Sequence, residues 1–284
     1  MLPTAVMAGL VLISTAPGSL EQEEIVVFCA ASLTGAFKEI GDMYQESTGI
    51  EVSLNFDGTQ VLRTQLEQGA CADVFVSANR KHMDALMAQG LMINDTVQVF
   101  TENSMVVIVP KDNPADIRSL RDLERPGVKI VMGTRDVPVG SYALQVLDKL
   151  AEDPDFGPLY RDRVLSNVIS REMNVNYVVS KISLGEADAG FAYSSDVTPV
   201  IGEKVSAIEI PQEYNVLAEY TLGVLAQSEN PALARDFIEA VNSEEGRSIL
   251  TKYGFKPVGL QPEVNSSLML DPHPSMQAGL QAAA

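Results

Sequence analysis

The sequence is poor in the residues from which metal centres and nucleophilic active sites are usually built. Among its 284 residues there are two histidines and two cysteines. A resident metal needs a cluster of such ligands, and His82 and His273 are far apart in the chain, so none is expected. The same scarcity removes the general base that a serine or cysteine nucleophile requires. His82 falls on a predicted surface helix and His273 in the C-terminal tail, and the chain contains no Gly-x-Ser-x-Gly elbow. Cys29 lies in an apolar strand-like run and Cys71 just before another. Both positions suit small buried thiols, and free thiols are expected in preference to a disulfide.

Basic residues are scarce as well. Lys and Arg total 20 against 38 Asp and Glu, a formal charge of −18. Phosphate backbones require a positive surface, so nucleic acid is not an expected partner. The excess of negative charge favours solubility and leaves a small anionic ligand possible in principle, because surface charges beyond a Debye length of about 10 Å are screened while contacts inside a closed site are not. Long apolar runs are missing too. Leu2 to Gly18 carries no charge, but it is short for a membrane span and reads as a secretory leader over residues 1–22. No Lys or Arg precedes its apolar part and no lipid-attachment cysteine follows it. At the other end, residues 259–284 are rich in Pro, Ser, Gln and Ala without a sustained period, as expected of a poorly ordered tail.

Between these ends the chain is 46% apolar, enough for a sizeable core, and its pattern alternates between strand and helix. Val26 to Cys29 is a run of β-formers that stops at Ala30-Ala31. Ser32 follows, and apolar residues then recur at Leu33, Ala36, Phe37, Ile40, Met43 and Tyr44 with a helical period. Ser32 occupies the expected N-cap. The same construction repeats along two α/β halves, about 24–100 and 104–210, and the closing segment 219–255 returns to the first. The predicted organisation is lobe I from 23–102 plus 217–258 and lobe II from 103–216. Each lobe is a mainly parallel sheet flanked by helices, and the chain crosses between them near 101–104 and 212–219. A ligand would sit between the lobes at the carboxyl ends of the strands.

Four strand-to-helix junctions carry small or polar residues and no charge: Ala31-Ser32, Gly58-Thr59, Pro138-Val139-Gly140 and Asn174-Val175-Asn176. A helix start presents unpaired N–H groups and the positive end of the helix dipole, which is anion-binding geometry. Tyr193, at the end of a predicted strand, adds a phenolic donor. A plainer reading stands beside this one: Ser32 and Thr59 as ordinary caps, Pro138 as a helix initiator, and Tyr193 as an interfacial aromatic. Asp57 and Asp136 read as turn residues; turned inward, either would stand behind the donors or act as a carboxylate ligand able to accept a proton from phosphate. Arg63 is not assigned to the site.

The segments AASLTGAF (30–37), GACADVFVSA (69–78), VPVGSY (137–142), GFAYSSD (190–196) and KYGF (252–255) occur in this order. Together they resemble the molybdate-binding proteins of ABC importers, over about Glu24 to Phe255. The resemblance implies an α/β, two-lobed periplasmic-binding-protein fold of type II with two hinge crossings. It implies an exported, monomeric protein at the periplasmic or extracellular face of the cell membrane, with no catalytic role and no cofactor. The ligand implied is molybdate or tungstate, the metal being bound only as its oxyanion, and the partner is an ABC permease with its ATPase. In that family neutral donors hold the dianion. Carried over by motif, these are the hydroxyls of Ser32 and Thr59 (relatives often have Ser at the latter), the amides of Val139 and Val175, and the Tyr193 phenol. The match at Val175 rests on its spacing to Tyr193. Related tungstate-type proteins expand the coordination with carboxylates, a role open here to Asp57 or Asp136. A donor-only pocket disfavours protonated phosphate, whose hydrogen needs an acceptor, whereas only cavity size separates sulfate from molybdate. The alternatives are therefore a binding protein for sulfate or phosphate and, from another class, an α/β enzyme using Ser32.

Overall fold

Side chains along the first strand, β1 (Glu24–Ala30), point alternately into two apolar clusters. Ile25, Val27 and Cys29 join one and Phe28 the other, so this strand is covered on both faces, as expected for parallel sheet between helices. The computed structural model describes residues 23–258; the predicted leader and tail lie outside the described residues. In lobe I, β1 pairs in parallel with β2 (Glu51–Asp57) and β3 (Val74–Ser77). Helices α1 (Thr34–Thr48), α7 (Pro231–Asn242) and α8 (Glu244–Lys252) cover one face, where Phe37 meets Phe100 at 6.0 Å between ring centroids and Tyr44 meets Phe237 at 5.3 Å. Helices α2 (Thr59–Glu67) and α3 (Arg80–Ala88) cover the other through Leu62, Leu66, Met83 and Leu86.

Lobe II repeats the plan. Its central strand β5 (Ile130–Gly133) pairs in parallel with β6 (Val168–Glu172) and β7 (Ala189–Tyr193), and α4 (Pro138–Glu152), α5 (Tyr160–Ser166) and α6 (Val175–Ser183) pack around them. The thirteen-residue strand β4 (Gln98–Pro110) belongs to both lobes. Residues 98–104 pair with β9 (Leu217–Val224), and residues 105–110 pair with β7 and with β8 (Val205–Glu209), all antiparallel. The result is one ten-stranded sheet, with β10 (Lys256–Pro257) also on β4. The polar run 101–104, which reads as a break in an apolar stretch, is instead where one unbroken strand changes partners. The chain passes between the lobes a second time from β8 to β9. There Asn215 clasps β4: its side chain accepts from Met105 N at 3.0 Å and donates to Met105 O at 2.9 Å.

Three local expectations are corrected. Helix α5 is absent from the sequence reading, because only Tyr160 and Val164 of its seven residues are buried. Cys71 is exposed, not buried, while Cys29 is buried; both are free thiols. His82 is buried, because its ring packs under the other lobe with Nε2 2.9 Å from Asp136 O.

Candidate oxyanion-binding site

The carboxyl ends of β1, β2 and β3 face those of β5, β6 and β7. Between them lies a cavity of about 20 Å³. On this measure a single water needs roughly 10–15 Å³, so the space is on the scale of a small polyatomic guest. All four helix-start junctions line it, together with Tyr193, and no lining residue carries a charge.

On the lobe I wall, a single 3-10 turn (Ala31–Leu33) separates β1 from α1. Ser32 does not cap the helix; its Oγ lies 2.9 Å from the Tyr220 hydroxyl on β9. Thr59 is the first residue of α2, and Gly58 occupies the N-cap position. Thr59 Oγ1 accepts from Ala78 N at 3.2 Å, so a lone pair is engaged from behind and the hydroxyl proton is left for the cavity.

The lobe II wall presents backbone. Pro138 opens α4 and has no N–H, so Val139 supplies the first free amide of that helix, while Ser141 N is already spent on Val137 O at 2.9 Å. Gly140 lets the helix start approach β5: a Cβ there would stand 2.1 Å from Thr134 O. In α6, Asn174 caps by accepting from Tyr177 N at 3.2 Å. Val175 N, in the first turn, is left without an intrahelical acceptor. Tyr193, the last residue of β7, is 1% exposed, and its hydroxyl has no hydrogen-bond partner among the described residues. A buried, unmatched phenol costs about 1–3 kcal/mol, and here it borders the cavity. Burial holds its pKa well above the ordinary phenol value, so it remains a donor. Behind it Asp196 accepts from Tyr193 N at 2.8 Å. Burial pushes this carboxyl up to about 7 against the lowering effect of that hydrogen bond.

Contacts between the lobes close the rim. Gln60 Nε2 donates to Met173 O at 2.6 Å, Asn176 Nδ2 to Ala31 O at 3.2 Å, and Asn174 Nδ2 to Asp57 Oδ1 at 3.1 Å. His82 Nε2 lies 2.9 Å from Asp136 O and, facing a carbonyl, is the donor. The two candidate carboxylates are not among the cavity-lining residues. Asp57 accepts from Gly58 N at 2.7 Å as a turn residue and then from Asn174. The Asp136 carboxylate is 76% exposed and pairs with Lys81 at 3.4 Å. Arg63 pairs with Glu67 at 2.8 Å. The sequence reading misses Tyr220, His82 and the clamping roles of Asn174 and Asn176. Of these only Asn174 carries a local signal, a cap residue before an apolar helix.

Among the described residues no helix is long and apolar enough to cross a membrane, and no His, Cys, Asp and Glu cluster is placed to hold a metal ion. The molybdate-binding protein ModA of Mycobacterium tuberculosis (strain H37Rv) is 38% identical over 232 residues, 81% of this chain and 84% of that protein. Two solved structures share the fold at lower identity. The sulfate-binding protein SubI of Mycobacterium tuberculosis H37Rv superposes with a TM-score of 0.75 at 17% identity, covering 83% of this chain and 87% of that one. The periplasmic molybdate-binding protein of Azotobacter vinelandii superposes with a TM-score of 0.70 at 18% identity, covering 81% and 98%. A profile of one family spans residues 25–256, nearly all of both lobes. With its two α/β lobes joined through a shared strand, the chain belongs to the bacterial extracellular solute-binding protein family.

Proposed function

We propose that this protein captures molybdate or tungstate between its lobes and delivers it to an ABC permease and its ATPase. The hydroxyls of Ser32 and Thr59, the amides of Val139 and Val175 and the phenol of Tyr193 hold the dianion. The observation that carries this reading is the uncharged cavity itself. Donors from both lobes converge on it, and one of them, the Tyr193 hydroxyl, is buried without a partner among the described residues. Both anions are fully deprotonated near neutral pH, so every oxygen accepts and every donor is used. Hydrogen bonds to a charged partner contribute about 1.5–3 kcal/mol each, and each helix start adds about 0.3–1 kcal/mol. Net of binding costs, this supports a Kd between about micromolar and nanomolar. The family is one of binding proteins, and in this reading Ser32 is a ligand donor rather than a nucleophile.

Lobe I (23–102 and 217–258) and lobe II (103–216) act as two bodies hinged at β4 and the β8–β9 connection, and ligand bound by both favours the closed state. The protein works as an exported monomer in the periplasm or at the extracellular face of the membrane. Sulfate is the second reading: it too accepts at every oxygen, and a sulfate-binding protein shares the fold. Calorimetric titration with molybdate, tungstate, sulfate and phosphate tests the assignment. Molybdate and tungstate are expected to bind tightly, sulfate more weakly, and phosphate without measurable heat. Absence of binding by molybdate and tungstate overturns it, and tighter binding of sulfate transfers the assignment to that anion.

A further inference from the structure

A serine hydroxyl is an ambiguous partner for an oxyanion. It donates one proton and accepts at its lone pairs, so unaided it can serve either a bare oxygen or a protonated one. The structure removes this ambiguity at Ser32 from behind the cavity wall. Tyr220 is fully buried on β9 with its hydroxyl 2.9 Å from Ser32 Oγ, where either oxygen is able to donate. Burial settles the direction. Ser32 Oγ is the one hydrogen-bond partner of the Tyr220 hydroxyl among the described residues, and were Ser32 to donate, the phenol proton would be left fully buried without an acceptor. The phenol thus donates its proton to Ser32. Ser32 Oγ therefore receives a hydrogen bond from behind and turns its proton toward the cavity.

We propose that Tyr220 is a positioning residue that holds Ser32 as a donor and so sets the preference of the site for fully deprotonated over protonated tetrahedral oxyanions. The inference rests on the oxyanion reading given above. Thr59 is held as a donor in the same sense, but by a backbone amide, Ala78 N. The Tyr220 lock is made by a side chain and can be removed without touching a ligand donor.

The test uses Tyr220→Phe, Ser32→Ala and the double variant of the full chain, titrated with molybdate and, in competition, with inorganic phosphate near neutral pH, where phosphate carries at least one proton. Phe keeps the ring and its edge-to-face contact with Phe255 at 5.4 Å, and a thermal melt without ligand verifies folding. Tyr220→Phe is expected to weaken molybdate about tenfold and to narrow the molybdate-to-phosphate preference by a similar factor. In the Ser32→Ala background the same substitution is expected to change molybdate affinity less than about twofold, because its route to the ligand is already gone. An unchanged preference, or losses that simply add, overturns the proposal. Should Tyr220→Phe not fold, Ser32→Ala alone decides: a narrowed preference supports the proposal, and equal losses for both anions overturn it. Wild-type protein that binds no oxyanion overturns the functional reading and this one together. Wild-type binding with an intact preference in Tyr220→Phe overturns this one alone.

Discussion

Ser32 and Thr59 face Val139 and Val175 across the cavity, and in the proposed site the two walls supply donors of different kinds. Lobe I offers hydroxyls, each held from behind: Ser32 by Tyr220 and Thr59 by the Ala78 amide. Lobe II offers amides at the starts of α4 and α6, set by Pro138 and by the Asn174 cap, together with a phenol that nothing in the described residues engages. Donors of the first kind depend on which side chain is present. The lobe II amides depend on where the backbone goes, and are indifferent to the side chain attached to it. The lobes should therefore fail in different ways when altered.

Backbone placement is the harder to disturb and the costlier to lose, so the largest effect is expected at Gly140. A Cβ there would lie 2.1 Å from Thr134 O and 2.5 Å from Gly133 O. Both are backbone atoms, so the start of α4 must move and take the Val139 amide with it. Gly140→Ala is expected to cost about 1–3 kcal/mol of stability and to weaken molybdate by about a hundredfold, read by thermal melting and calorimetry. The lobe I counterpart is Gly35, whose added Cβ would meet the Tyr253 ring at 2.5 Å. The atoms met are those of a half-buried side chain and not of the backbone, so the ring shifts in place of the helix and Gly35→Ala should leave affinity within about threefold. Equal losses for the two variants would break the contrast between the walls.

Removing single donors comes next. Tyr193→Phe deletes a group with no partner among the described residues, whereas Thr59→Val deletes one on which Ala78 N depends. Each should weaken molybdate by about 10- to 100-fold, the value of a hydrogen bond to a charged partner. Their unliganded melts should diverge. Tyr193→Phe relieves an unsatisfied buried hydroxyl and is expected to melt at or above the wild-type temperature. Thr59→Val orphans an amide and is expected to lose about 1–3 kcal/mol. A drop in melting temperature for Tyr193→Phe would show that the phenol has a partner within the protein.

The same contrast explains what the sequence discloses. The four helix starts are legible because Pro138, Asn174 and the small residues around Ser32 and Gly58 are the local signals that end strands and open helices. Which atoms then face the ligand is not local. Ser32 reads as a cap because capping is what a serine before a helix does unaided; its actual partner, Tyr220, is 188 residues away and looks like any buried strand aromatic. His82 reads as a surface residue of a mixed, polar helix, and is buried because the other lobe closes over it with the Asp136 carbonyl. The run 101–104 reads as a break in an apolar stretch because its polarity is visible and its exchange of strand partners is not. Helix α5 presents only an i,i+4 pair to the core, too little for a period to register.

A smaller effect is tied to pH. Asp196 sits behind the Tyr193 donor, and burial raises its carboxyl from an ordinary 3.8 to about 7. Between these values the folded protein holds a proton that the unfolded chain releases, so stability falls as pH rises through the window, and the penalty is complete above it. Asparagine stays neutral and still offers an oxygen to Tyr193 N. Asp196→Asn is therefore expected to melt a few degrees above wild type at about pH 8 and to match it at about pH 4. A gap that does not grow with pH would detach the carboxylate from this account.

The smallest change in affinity is expected where the ligand contact is most directly a matter of backbone. Val175 is 4% exposed and packs its side chain into the core, while its amide, in the first turn of α6, is the proposed donor. Val175→Ala removes apolar volume worth about 1–3 kcal/mol of stability, partly offset by the better helix propensity of alanine. It leaves the N–H and the Asn174 cap in place. The melting temperature should fall while the molybdate Kd stays within about threefold, the reverse of Tyr193→Phe, where affinity falls and the melt does not. A tenfold loss of affinity in Val175→Ala would mean that the side chain, not the amide, shapes this wall. The two lobes would then bind by one logic rather than two.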